Sequence, residues 1–159
     1  RYSHQLIEKS GEFVINLVNE ELACSADYCG VKSGRNEDKF AKCNLSKMPA
    51  DHVKAPLIKE SPVNLECKVL EIKEYQTHDM FIAEIVAVHA DEELFDDDGR
   101  IRLDLAGMVA FNHGEYFGIK RKPIGRFGFS VMKKSTKKRI NREAKEKRQK
   151  RNEARKRKA

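Results

Sequence analysis

Ser61-Pro62-Val63-Asn64-Leu65-Glu66-Cys67-Lys68-Val69-Leu70-Glu71-Ile72 and, after a short polar break, Met80-Phe81-Ile82-Ala83-Glu84-Ile85-Val86-Ala87-Val88-His89 decide how this chain folds. In the first stretch Val63, Leu65, Cys67, Val69 and Ile72 nearly alternate with Asn64, Glu66, Lys68 and Glu71, the pattern of a strand with one wet face. The second stretch is apolar enough to be its partner, and residues 74–78 turn the chain back between them. An antiparallel hairpin of two long strands follows.

Working outward, Ser3 is placed to cap a helix over 5–10, which Gly11 ends by supplying left-handed backbone. Residues 12–18 (Glu-Phe-Val-Ile-Asn-Leu-Val) mix aromatic and β-branched side chains in a run too apolar for a solvated face, so they read as an interior strand. Helices are expected over 20–28, stopped by Gly30, and over 36–43, and Pro49 and Pro56 bracket a connecting loop. Short strands over 108–111 and 116–119 complete a mainly β chain, an antiparallel barrel with peripheral helices.

The acidic loop over 91–100 carries Asp96-Asp97-Asp98-Gly99. If Gly99 were the sixth residue of a calcium loop, Leu94 and Leu105 would stand first and twelfth, where the ion needs carboxylates, so the loop reads as a solvated turn.

The chain has 159 residues, 40% of them hydrophobic, which is room for one core. Its net charge of +7 hides a division. Residues 133–159 hold 15 Lys and Arg against 3 Glu, whereas the remainder holds 17 basic and 22 acidic side chains. The organisation is therefore a domain over 1–132 and a basic tail over 133–159. The tail is nearly free of apolar residues and reads as a single helix or a disordered arm, with Glu143–Lys147, Glu146–Lys150 and Glu153–Arg157 as i,i+4 pairs. Its charge gives it a general attraction for polyanions such as RNA, and the lack of interleaved aromatics removes support for base stacking.

Cys24, Cys29, Cys43 and Cys67 form no C-x-x-C pair, and no long apolar run or signal-like start occurs. A reduced, cytoplasmic location away from membranes is the expectation, with the cysteines packed as small hydrophobes and no metal held. The start at Arg1 points to a missing part of the natural N-terminus.

Three positions are candidates for holding a phosphorylated ligand. Arg1 and Ser3 stand at a helix N-terminus, where unpaired N–H groups favour anions. Lys39 follows the glycine turn Ser33-Gly34-Arg35. His78 opens a long apolar strand beside Asp79, whose carboxylate is placed to orient its ring. Each has an ordinary reading as well: a simple N-cap, a solvated helix lysine and a turn histidine. No nucleophile with a His and an acid in local register is present, so an enzyme built on this chain would rely on a bound cofactor.

The segments Arg1-Tyr2-Ser3-His4-Gln5-Leu6-Ile7, Gly11 to Asn16, Ser33-Gly34-Arg35 to Asp38-Lys39-Phe40, Ser61 to Cys67 and His78-Asp79-Met80-Phe81-Ile82 together resemble the flavin reductase-like family, especially its flavoredoxin branch. The likeness runs from Arg1 to about Phe129. It implies an FMN-binding split β-barrel, incomplete here at its N-terminal side, that forms a homodimer with the flavin near the subunit interface. It also implies cofactor contacts from Arg1, Ser3, Lys39, His78 and Phe111, with His78 as the catalytic residue meeting the ring system or a hydride donor. The activity implied is an FMN-dependent NAD(P)H oxidoreductase that passes electrons to a redox partner or a small-molecule acceptor. A rival from another class is a nucleic-acid-associated protein in which a degenerate barrel carries the basic tail.

Overall fold

The computed structural model describes residues 2–120, 122–125 and 127–156 and, within the last helix, leaves the side chains of 147, 148, 150–152 and 154–156 undescribed. Arg1, one of the expected phosphate contacts, lies outside the described residues. Two compact units are formed, Arg1–Arg121 and Lys122–Ala159.

In the first unit the hairpin dominates. Strands β4 (Val63–Glu74) and β5 (Asp79–Ala90) pair antiparallel from Val63 opposite Ala90 to Glu74 opposite Asp79, with register shifts after Glu66 and after Val69. The Tyr75 N–H donates to the His78 carbonyl at 3.0 Å and closes the turn. Strand β1 (Glu12–Asn16) pairs with the other side of β4, giving the order β1-β4-β5. The run over 12–18 is therefore shorter than expected and lies at the sheet edge, because β4 takes the centre. Two small antiparallel ribbons accompany the sheet: β2 (Lys47–Met48) with β3 (Leu57–Ile58), and β6 (Val109–Asn112) with β7 (Glu115–Gly118).

Helix α1 (Tyr2–Ser10) stops at Gly11, whose φ of 70° lies in the region that favours glycine. Ser3 falls inside its first turn, so the helix starts earlier than the capping reading expects. Helix α2 (Ala23–Val31) runs through Gly30 and ends at an extended Lys32. Only the end of the expected helix over 36–43 forms, as α3 (Lys39–Lys42), because Asp38 caps it: one carboxylate oxygen accepts the N–H groups of Phe40 at 3.0 Å and Ala41 at 3.3 Å.

The core gathers Val63, Leu94 and Ala106 with Leu17, Leu65, Ala90 and Met108 around them. The supposedly wet face of β4 is the larger surprise. Asn64 is buried and Glu66 is 0% exposed. The loop between β2 and β3 lies over this face and is held through its backbone: Glu66 takes the N–H groups of Asp51, His52 and Val53 at 2.8, 2.6 and 3.1 Å, Glu12 takes that of Lys54 at 2.7 Å, and Asn16 takes that of Ile58 at 3.0 Å. Three sheet side chains thus accept the backbone N–H groups of this loop, the Val53 group being the buried one. His89 on β5 adds a fourth donor to Glu66, its Nε2 at 2.6 Å. Burial would raise the Glu66 carboxyl, but the Asp51 N–H, the His89 side chain and the His52 N–H outweigh it and hold the group at about 2.

The second unit contains a short 3-10 turn, Phe129–Val131, and helix α4 (Lys134–Lys156). The tail is thus helical, and it does not lack apolar contact. Ile140 and Ala144 share the wall of a cavity of about 270 Å³ with Ile124, Phe129 and Met132. Its ion pairs Arg139–Glu143 and Arg142–Glu146, both 3.7 Å, place the base on the N-terminal side. The partners of the three expected pairs, Lys147, Lys150 and Arg157, lie outside the described side chains. Among the described residues no helix is long and apolar enough to cross a membrane.

Candidate functional site

A cavity of about 500 Å³ lies where α1, the end of α2 and the start of α3 converge. That volume is within the range of small-molecule sites, roughly 300–1,000 Å³. Helix α1 contributes Tyr2, Ser3 and Leu6 because these positions share one face of a 3.6-residue turn. The glycine-containing segment between α2 and α3 contributes Lys32, Ser33 and Gly34, and the start of α3 adds Glu37, Asp38, Lys39 and Phe40. Cys29 and Val31 complete the wall.

The charged lining is organised so that its cations are freer than its anions. Asp38 is occupied as the cap of α3, and Glu37 accepts the Tyr28 hydroxyl proton. That contact is the first cause of the raised Tyr28 pKa, with burial and the Glu37 charge behind it. Lys39 donates to the Cys29 carbonyl at 2.6 Å, which fixes its stem and leaves two of its three protons for a ligand. Arg35 stacks over the Tyr2 ring, 4.8 Å from its centroid, and hydrogen-bonds Gln5, so it fastens the segment after Gly34 to α1.

Of the five residues expected at the cofactor, the structure brings Ser3 and Lys39 to this one cavity. His78 is exposed on the β4–β5 turn, with its Nδ1 2.7 Å from the Thr77 hydroxyl. Asp79 does not orient it. Its carboxylate lies 2.5 Å from Nε2 of His4, whose ring meets Phe81 edge-on at 5.4 Å, so Asp79 ties α1 to β5 instead. Phe111 is 65% exposed on the β6–β7 hairpin and packs against Tyr116, 4.9 Å between centroids. Neither His78 nor Phe111 lines the cavity of the single chain.

Sequence reasoning missed Tyr2, Cys29 and Lys32. The first stood inside a quoted segment, and its place one helical turn from Leu6 was the available signal. Cys29 and Lys32 join the wall through the way α2 ends, which the misplaced stop at Gly30 concealed. Phe40 was noted beside Lys39, yet the cation over its ring is Lys47, 4.7 Å from the centroid.

Comparison with known proteins matches residues 1–120 to the flavin reductase like domain. An uncharacterized protein of Archaeoglobus fulgidus is 40% identical over 92 residues, which cover 57% of this chain and 52% of that protein. The chain spans about half the length of the curated relatives it matches. Among solved structures, flavoredoxin of Desulfovibrio vulgaris (Miyazaki F) is similar with a TM-score of 0.74 and 34% identity, covering 81% of this chain and 70% of its own. A putative flavin reductase with a split barrel domain from Shewanella frigidimarina gives a TM-score of 0.69 and 25% identity, over 79% of this chain and 64% of its own. The antiparallel sheets described above are thus those of a split-barrel protein, and the match covers the whole sheet and every segment that lines the cavity. The chain belongs to the flavin reductase-like domain family.

Proposed function

We propose that this chain binds FMN in the cavity between α1 and α3 and serves as a flavin-dependent oxidoreductase, drawing electrons from NAD(P)H and passing them to a second acceptor. The observation that carries the reading is that Ser3 and Lys39, distant in sequence, line one cavity whose carboxylates are already engaged. The residues fit the cofactor. A hydroxyl and a two-proton ammonium are present for a phosphate, Tyr2, Leu6, Val31 and Phe40 supply apolar wall, and the volume is adequate.

The chemistry that FMN supplies when bound is acceptance of hydride from a nicotinamide and release of electrons to an acceptor. The chain's own contribution is position and charge. Ser3 donates its hydroxyl proton to the phosphate, and Lys39 offers a positive charge held in place by the Cys29 carbonyl. His78 and Phe111 serve the ligand or its hydride donor across a subunit interface, which makes the working form a homodimer. Exposed apolar residues on the sheet, with Ile85 at 54% and Val88 at 58%, support such pairing.

Absorbance of the purified protein tests the reading. Bands at about 370 and 450 nm, where oxidised flavin absorbs, that bleach on adding NADH or NADPH are expected. A colourless protein that takes up no added FMN rejects it.

A further inference from the structure

Helix α1 forms one wall of the cavity, yet none of its residues is buried. A helix of nine residues is too short to hold itself in water, and without a buried face packing does little to fix it. The chain joins it to β1 through Gly11, at the end remote from the ligand-facing turn. Ser3 stands about 12 Å up the helix from Gly11, so a tilt of roughly 10° at that end carries its hydroxyl about 2 Å, more than a hydrogen bond tolerates. The first turn therefore needs an anchor of its own.

His4, the residue after Ser3, supplies it. Its Nε2 lies 2.5 Å from the carboxylate of Asp79 at the start of β5, and its ring meets Phe81 of the same strand edge-on, 72° between planes. The two side chains are 34% and 24% exposed, so water competes for their bond only in part. Glu8 lies 3.9 Å from the other ring nitrogen, but it stands on α1 itself and cannot tie the helix to the sheet. Arg35, on Tyr2 and Gln5, fastens α1 to the segment after Gly34, which is itself outside the sheet.

We propose that His4 and Asp79 are positioning residues of the cavity: their hydrogen bond seats the first turn of α1 on β5 and holds the Ser3 hydroxyl where a bound phosphate monoester accepts its proton. The identity of that phosphate rests on the flavin reading, and the seating rests on the geometry of His4, Asp79 and Phe81. Neither His4 nor Asp79 lines the cavity, so both act through Ser3. Loss of the pair is selective in its effect. It costs the phosphate contact, while Val31 and Phe40, on α2 and α3, keep their places in the apolar wall.

The test compares the unaltered full chain with Asp79→Ala, Asp79→Asn and His4→Phe. FMN and riboflavin are titrated into each, and hydrogen exchange of the backbone of 2–10 is followed without flavin. Asp79→Ala and His4→Phe are expected to bind FMN about 10-fold more weakly and riboflavin less than about 3-fold so, with faster exchange in α1. His4→Phe keeps a ring against Phe81, so its loss isolates the hydrogen bond. Asp79→Asn keeps an oxygen for the His4 N–H and is expected to restore most of both. Equal weakening of the two flavins, which is what a merely structural role gives, overturns the proposal. So does failure of Asp79→Asn to restore binding, or unchanged exchange of α1 in Asp79→Ala. If Asp79→Ala does not fold, His4→Phe decides in its place. A chain that takes up no FMN rejects the flavin reading, and the exchange comparison then decides the seating alone.

Discussion

Replacing Glu66 by Ala removes the acceptor for three backbone N–H groups and for His89 at once. The buried Val53 N–H left without a partner costs about 1–3 kcal/mol, the part-exposed donors of Asp51, His52 and His89 cost less because water reaches them, and a loss of roughly 3–5 kcal/mol in all is expected. Against a usual domain stability of about 5–15 kcal/mol that is a large fraction. With a urea slope of about 1–3 kcal/mol per molar, the midpoint falls by about 2 M. Glu66→Gln keeps one acceptor oxygen and sets an amide NH₂ against an N–H donor, for a smaller loss of about 1–3 kcal/mol.

The pH dependence follows from the carboxyl being held at about 2 when folded and at its ordinary 4.5 when unfolded. A depressed carboxyl stabilises the fold above 4.5, and the contribution fades as the pH drops from 4.5 toward 2. The difference in stability between the unaltered chain and Glu66→Gln therefore shrinks over that window. Urea titrations at a series of pH values read both effects. A loss under about 1 kcal/mol for Glu66→Ala at neutral pH would refute the reasoning, since it would mean that the three N–H groups find equal partners without the carboxylate.

Asp38→Ala removes the cap of α3 and is expected to lower stability by about 0.5–2 kcal/mol in the same titration, with Asp38→Asn largely restoring it. At Gly34 an added methyl meets the Tyr2 ring at 3.6 Å and Lys39 Cε at 3.7 Å, both ordinary contacts, so Gly34→Ala stabilises by about 0.4–1 kcal/mol through the unfolded chain. A destabilised Gly34→Ala would show that the segment is more tightly constrained than these distances state. If the tail associates with RNA, fluorescence anisotropy will show binding that weakens steeply with salt and vanishes on deleting 133–159. Binding that survives the deletion would place it elsewhere.

The hairpin was legible because Val63, Leu65 and Cys67 repeat with the period of a strand, and its partner run is continuous and apolar. The same period misplaced Glu66. Alternation tells which side chains point away from the core, and it is silent about whether a loop lies over them. Only the fold puts the backbone of 51–53 on that face and makes the most polar position of the strand its most enclosed one. Segment resemblance singled out Ser3 and Lys39 together, and in the structure both line one cavity. The pairing of Asp79 with His78 failed for a related reason. The strand begins at Asp79, whose carboxylate reaches His4 of α1, while His78 stays in the turn beside Thr77.

The most direct measurement is titration of FMN into the chain and into Lys39→Gln, a variant that still has a donor for the Cys29 carbonyl. A charged donor on a phosphate contributes about 1.5–3 kcal/mol, so the variant is expected to bind roughly 10- to 150-fold more weakly while riboflavin, which lacks the phosphate, is little affected. Equal FMN affinity in both proteins, or an equal drop for FMN and riboflavin, would contradict the placement of the cofactor phosphate at Lys39.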